Sequence, residues 1–458
     1  MLSKVSFILV CLTAAIPAVL GVPARAQVEA PASGGPAAED DARMLTPSLL
    51  SGSPYSAIAR ANVRQNVFTS GVTVTGGWVD NVYADSPTGP VADETVSIFP
   101  NFSYLRATPR EEGTFNYSPG FTYYVPTSGL NSVVSGLNSF NQSAAGSFDG
   151  RLTQHVSLDM QDDFIRTSNI FDSSYPFSTG SITGSTQTPT PAAIVPFAEQ
   201  TRNFSNGVVS YQFARNAMVG GGATVSESRF PNPSQVAGLY NSTAEGGSAF
   251  YSRRFSRRQY LGVRYEYDRI VGGNTTTQVE SQTQIVLPFY SVFFGRSFSM
   301  SAAGGATHTT VSQSQQPTNA AWTGSTVLSF AWQGEKGSVS SSFLRTVNSG
   351  PGLIGAFNSV SANLNGGWKL TRTWNAALSF TYQNIEPAVP LIAVVYQGGN
   401  SLMAQAVIGH NWGEHFSAQA GYQRLHQQFI GITSINTNPD ADRVFVSLTY
   451  NYQKPLGK

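Results

Sequence analysis

Arg443 to Gln453 reads RVFVSLTYNYQ, and its side chains alternate between two faces. Val444, Val446, Leu448, Tyr450 and Tyr452 fall on one, and Phe445, Ser447, Thr449, Asn451 and Gln453 on the other. Successive side chains of an extended strand point to opposite sides, so this stretch predicts a strand with unlike faces. The same period recurs about eighteen times along the chain, in stretches of roughly ten to fourteen residues. One such strand fits any sheet. Many of this length fit a wall between lipid and water, because a tilted strand needs roughly 9–11 residues to cross the hydrocarbon core.

Composition points the same way. Charged residues make up 12% of the 458 residues and aromatics also 12%, and beyond the N-terminus no run of 18 apolar residues predicts a spanning helix. A membrane protein without apolar helices must satisfy its backbone between strands, which means closing the sheet into a barrel. The first 26 residues predict an export signal: Lys4, the apolar run Val5 to Val22, and Ala24-Arg25-Ala26 before Gln27. Cys11 is the one cysteine, so the mature chain has neither disulfides nor thiolate metal sites. Val10 and the early position argue against lipidation of that cysteine. Without the signal, 25 basic residues face 26 acidic ones with no basic stripe, which argues against nucleic acid as a partner.

Residues 27–70 form a distinct N-terminal piece. VEAPASGGPAAEDDARMLTPSLL (Val28 to Leu50) predicts a flexible periplasmic lead, and SAIARANVRQ (Ser56 to Gln65) a short helix. A small plug entering the barrel mouth is the sharper alternative. From Gly71 to the end the expected fold is all-β: a transmembrane antiparallel up-and-down barrel of about 18 strands, from 71–83 to 441–453. Sixteen is the alternative if the weak strands around 143–167 merge. Every second connection is short, as at Thr153-Gln154, Ala214-Arg215 and Gly413-Glu414, and the others are long, as at 168–201. Short periplasmic turns and long outer loops are the habit of outer-membrane barrels, and an even strand number puts both termini in the periplasm.

Parity assigns facing. Trp374, Ala376, Leu378, Phe380 and Tyr382 are expected toward lipid, as are Trp322, Leu328, Phe330 and Trp332, and also Val279, Ile285, Leu287 and Phe289. Gln278, Glu280, Gln282 and Gln284 are then expected inside. The candidate pore-lining charges are Asp149, Arg151, Asp159, Arg264, Glu266, Asp268, Glu280 and Lys369, with Asp163, Arg166 and Arg253 on the same parity. Such groups bias which solutes pass a water-filled bore, and they equally form salt bridges along the wall. Asp162 falls on the lipid parity, which calls for a bulge or a place at the outer rim.

Catalysis finds no support. The five histidines are His155, His308, His410, His415 and His426, expected by default at periplasmic turns. His410 and His415 flank a tight turn and need not converge. No HExxH, nucleophile elbow or phosphate-cradling glycine loop is present. No catalytic, cofactor-binding or metal residue is therefore assigned, and no cofactor is expected.

With its export signal, the TRTWNAALSFTYQN turn and strand, and the terminal VFVSLTYNYQKPLGK, the chain resembles the bacterial porin-type outer-membrane barrels, some of which occur with exopolysaccharide genes. The resemblance spans roughly 71–458 and rests on architecture. It implies a Gram-negative outer-membrane channel for passive diffusion of small hydrophilic solutes, with membrane lipid and the barrel-assembly machinery as partners. The alternative it implies is a non-transport, secretion-associated role in an envelope or exopolysaccharide assembly. Porin-type chains usually end on an aromatic residue; here Gln453 to Lys458 follow Tyr452.

Overall fold

The computed structural model describes Met44 and residues 65–82, 92–108, 110–125, 138–167, 199–231, 239–273, 278–294, 297–313, 318–349, 353, 355–389, 398–430 and 440–456. The expected signal, most of the lead with its short helix, and most of the 168–201 loop lie outside these residues.

Eighteen strands follow one another: β1 (Gln65–Val79), β2 (Asp93–Ala107), β3 (Glu111–Val125), β4 (Ser139–Arg151), β5 (Val156–Thr167), β6 (Gln200–Ala214), β7 (Ala217–Arg229), β8 (Asn241–Ser256), β9 (Gln259–Gly273), β10 (Gln278–Phe294), β11 (Phe298–Gln313), β12 (Asn319–Gln333), β13 (Gly337–Ser349), β14 (Ala356–Lys369), β15 (Trp374–Pro387), β16 (Gly398–Trp412), β17 (Phe416–Ile430) and β18 (Ala441–Pro455). Each pairs antiparallel with the next, and β1 pairs with β18 from Val67↔Pro455 to Val79↔Arg443. The sheet therefore closes on itself, an all-β up-and-down barrel. The sixteen-strand alternative fails because β4 and β5 are separate strands, in register from Gln142↔Arg166 to Arg151↔Ser157. β1 starts earlier than alternation predicts, since Gln65 to Ser70 still pair with Ala107 to Phe102.

The connections after even-numbered strands gather at one end of the barrel, the turn end, and those after odd-numbered strands at the other, the loop end; the latter are the longer, except that β9–β10 is as short as β4–β5 and β14–β15. Three tight turns share one device. Thr108 Oγ1 accepts from the backbone N–H of Arg110 and Glu111 (3.3 and 3.1 Å), Thr153 Oγ1 from His155 and Val156 (3.2 and 3.0 Å), and Thr371 Oγ1 from Thr373 and Trp374 (3.2 and 3.0 Å). A hydroxyl that mimics a turn carbonyl is why threonine opens these reversals. Gly413, at φ 70°, opens another.

Buried clusters identify the inner face. Ile270, Val279 and Val311, from adjacent strands β9 to β11, pack with Val347, Ala356, Ala388 and Val389 from farther round the wall. Strands that are not neighbours meet only across the interior. The opposite face carries the exposed large hydrophobics, among them Val74, Ile98, Phe121, Val209, Leu261, Val286, Leu328, Leu378, Ile408 and Val444. Near the turn end it carries an aromatic girdle. Phe298 lies between Phe294 and Phe330 (ring centroids 5.2 and 4.7 Å), His410 between Trp374 and Trp412 (4.6 and 5.3 Å), and Phe416 against Tyr450 (5.0 Å). The Trp and Tyr rings, each with a polar group on an apolar body, sit well where hydrocarbon gives way to headgroups, and the phenylalanines extend the apolar side of the girdle.

Two seams are interrupted by proline. Between β2 and β3 the register runs to Ile98↔Phe121 and resumes at Phe102↔Tyr117, around Pro100 and Pro119. The Ser118 hydroxyl donates to the Pro100 carbonyl at 3.1 Å and replaces part of the lost ladder. Between β10 and β11 the register passes from Val286↔Ala306 to Phe289↔Ala303, skipping Pro288 and the Gly304-Gly305 pair opposite it. Proline cannot donate to the ladder, and glycine there lets the strands close up.

Candidate functional site

The inner wall is mostly hydroxyl and amide. Cross-strand pairs bind hydroxyl to hydroxyl: Thr73 with Thr449 (2.9 Å), Ser97 with Thr122 (2.9 Å), Thr114 with Ser147 (2.6 Å), Ser157 with Ser210 (2.6 Å) and Ser301 with Ser329 (2.5 Å). Side-chain amides continue the pattern, Asn363 Nδ2 donating to Ser342 at 3.3 Å and Gln383 Nε2 to Ser359 at 3.3 Å. The hydroxyls of Ser281, Thr283 and Thr309 are buried on the same wall without a protein partner among the described residues. A surface of neutral donors and acceptors can replace part of a solute's hydration without binding one charge class strongly.

Charged side chains interrupt this wall at some of its described positions. Along β9, Arg264, Glu266 and Asp268 point inward while Leu261, Val263 and Tyr265 are exposed outside, as alternation predicts. Arg264 Nε lies 2.5 Å from Glu266 Oε1, their side chains 5% and 11% exposed. Arg264 stands opposite Phe250 and Leu287, and Glu266 opposite Ser248 and Ile285. Asp268 faces Gly246, where an added Cβ would lie 2.0 Å from Asp268 Oδ1, so the carboxylate occupies the space a side chain would fill. Toward the turn end, Glu112, Asp149 and Asp159 lie side by side across β3, β4 and β5, with Arg151 on the same face of β4. Lys369 shares the inner parity of β14 but sits exposed at the rim.

Glu280 is misplaced by the alternation rule, as are its neighbours. On β10 the buried, inward residues are Val279, Ser281, Thr283, Ile285, Leu287 and Phe289, so Gln278, Glu280, Gln282 and Gln284 face outward. The apolar half of this strand lines an apolar sector of the interior. Its polar half lies toward the loop end, past the outward apolar series of Val286, Pro288 and Tyr290. There Glu280 takes both Arg269 Nε and Nη2 at 2.9 Å and Gln282 Nε2 at 3.1 Å. Arg253 and Arg166 are also outside, Arg253 with its guanidinium 5.6 Å from the Phe255 ring centroid and Arg166 paired with Glu199. Asp162 stays on the outer face with no bulge, held by the Ser205 hydroxyl. Glu280→Gln is therefore expected to leave ion selectivity in a planar bilayer unchanged, whereas Asp149→Asn with Asp159→Asn, which removes two inner negative charges, is expected to shift it toward anions. A selectivity change from Glu280→Gln alone would contradict the facing of β10.

Inner charges that the sequence reading passed over are Glu112, Asp93, Arg202 and Arg443. Arg443 is 2% exposed and lies over the Phe445 ring at 5.6 Å. Its parity with Phe445 and Ser447 was the available signal. The histidines divide. His155 and His415 sit in turns, and His410 is on the outer wall beside them. His308 and His426 are on the loop halves of β11 and β17, a correction to the turn default, beside Trp322 and Asp440 respectively. Among the described residues no three such side chains are placed to share a metal.

Both ends of the interior hold apolar contacts. At the loop end Phe230, Leu239, Leu353, Phe357, Ile385 and Phe429 form one buried cluster reaching from β7 to β17. Near the turn end Met44 packs with Val208, Met218, Phe250 and Tyr260, and its N–H donates to Gln212 Oε1 at 3.2 Å. One residue of the N-terminal lead thus lies inside the barrel.

No family model matches the chain, and no curated protein matches it. Solved structures similar to it include the outer membrane protein OpdK from Pseudomonas aeruginosa, at 10% identity over 84% of this chain and 99% of that one, with a TM-score of 0.38. The FrpB iron transporter from Neisseria meningitidis (F5-1 variant) is 10% identical over 85% of this chain and 83% of that one, with a TM-score of 0.41. The siderophore receptor PirA from Pseudomonas aeruginosa is 11% identical over 86% and 81%, with a TM-score of 0.38.

Proposed function

We propose that this chain is a porin-type channel of the Gram-negative outer membrane, passing small hydrophilic solutes by diffusion, with both termini on the periplasmic side. The observation that carries this is the two-sided wall: apolar and aromatic outside, hydroxyl and amide inside, closed into a ring through the β1–β18 seam. Lipid requires the first face and a solute path the second. Asp149, Arg151, Asp159, Arg264, Glu266 and Asp268 are the charges proposed to bias passage, with Lys369 at the turn-end rim. Planar-bilayer recording of the refolded protein tests the reading. Stepwise currents are expected. A correctly folded barrel that stays silent at every voltage would overturn it and favour the secretion-associated role.

The apolar contact across the loop end makes that second outcome concrete, since a hydrophobic constriction stops ions by excluding water. Leu353→Asp with Phe429→Ser is expected to raise the unit conductance or the fraction of time open. Unchanged currents would show that the Phe230–Phe429 cluster is not the narrow point.

A further inference from the structure

We propose that the turn end of β6 to β9 binds the headgroups of anionic phospholipids. Five arginines meet there from two hairpins: Arg215 in the β6–β7 turn, and Arg253, Arg254, Arg257 and Arg258 at the β8–β9 turn. They converge because Ala217, two residues after Arg215, pairs directly with Arg253. Arg254 Nη2 donates to the Arg215 carbonyl at 2.9 Å and ties one turn to the other. Arg215, Arg253, Arg257 and Arg258 are exposed. The described acids of these four strands are Glu227, Glu245, Glu266 and Asp268, all at mid-strand or toward the loop end.

What borders the cluster on the outer wall selects the ligand. Phe213, Tyr211, Tyr251, Phe255 and Leu261 are exposed large hydrophobics on the turn halves of the same strands. The Arg253 guanidinium caps the Phe255 ring. Passing toward the turns, the wall changes from acyl-chain contacts through aromatics to guanidinium groups, the order of groups along a phospholipid from tail to phosphate. A guanidinium offers a planar fork that fits two phosphate oxygens, and it stays charged at the interface. Free phosphate would meet the arginines but leave the aromatic border unused, so a lipid accounts for both parts. The inference rests on the barrel lying in lipid, as proposed above.

The test uses the full chain refolded in phosphatidylcholine vesicles with and without an equal share of phosphatidylglycerol. Native mass spectrometry of the extracted barrel reads the lipids that stay bound, and the heat-dependent gel shift confirms folding. Phosphatidylglycerol is expected to be retained severalfold over phosphatidylcholine. That preference should vanish when Arg215, Arg253, Arg257 and Arg258 are changed together to Gln, and persist largely when they are changed to Lys. Should the fourfold variant not fold, Arg257→Gln and Arg258→Gln, in the turn itself, are expected to show graded loss. Equal retention of both lipids by the unaltered protein overturns the proposal, as does an undiminished preference in the folded variants, or retention of phosphate ions without lipid. A chain that folds but inserts in neither vesicle would instead overturn the membrane reading beneath it.

Discussion

Replacing Gly305 with valine is expected to stop the barrel from forming. A Cβ at this position would fall 1.8 Å from the Val286 carbonyl oxygen, 2.9 Å from its carbon and 3.3 Å from Leu287 Cα. These are backbone atoms, so no rotamer change relieves the clash; β10 and β11 must part. The seam already lacks one ladder bond at Pro288, and separating it further leaves N–H and C=O groups unpaired beside lipid, at several kcal/mol each. The loss should exceed about 4 kcal/mol, outside the ordinary range for a point change. Refolding in detergent, followed by electrophoresis with and without boiling, measures it: the unaltered chain shifts and Gly305→Val does not. Gly304→Val is the control. Its Cβ would come no closer than 4.0 Å to the Ser325 carbonyl, so this variant should refold normally. A normal shift in Gly305→Val would refute the close approach.

Arg264→Met is expected to cost about 3–5 kcal/mol, because it leaves Glu266 buried without its counter-charge. Glu266 is walled on one side by Ile285, and Arg264 by Phe250 and Leu287, so little solvent is at hand to take over from the guanidinium. Changing both partners, Arg264→Met with Glu266→Leu, should recover most of the loss, since removing a buried pair together costs far less than breaking it. Urea unfolding of barrels in lipid vesicles gives the three values. If the double variant is as unstable as Arg264→Met, the pair is not what holds this stretch of wall. The same variants read a second property. Arg264→Met should move the channel toward cations, and the double variant should sit near the unaltered protein.

Much of this was written in local pattern. Strand number, the seam between first and last strands, and the facing of β9, β12, β14, β15 and β18 follow from period-two alternation and from which connections are short. Alternation failed on β10 for a physical reason. The rule assumes that the apolar side of a strand meets lipid, yet Ile285, Leu287 and Phe289 meet other side chains inside the barrel, and Glu280 with Gln282 lies past the outward apolar residues of the strand. A strand of 17 residues, at about 3.3 Å per residue and tilted near 40°, reaches roughly 40 Å, well beyond a 25 Å apolar band. Its end is thus free to be polar outside. The Phe230–Phe429 cluster and Met44 were illegible for another reason: their partners are distant in sequence and share no period.

The pairing of Val67 with Pro455 sets β1–β18 apart from the other seventeen seams. Those join strands that follow one another in the chain and can form as hairpins, whereas this one brings together residues nearly 400 positions apart. Its loop-closure entropy is the largest in the molecule, and contacts of high sequence separation form slowly. Folding should therefore pass through an open, curled sheet whose two free edges, β1 and β18, expose their backbone groups until they meet. Such edges pair with whatever strand is offered. Whether the chain becomes a barrel or an aggregate is then decided at one event, the late meeting of Gln65–Val79 with Ala441–Pro455, and a factor that holds either edge would control the yield.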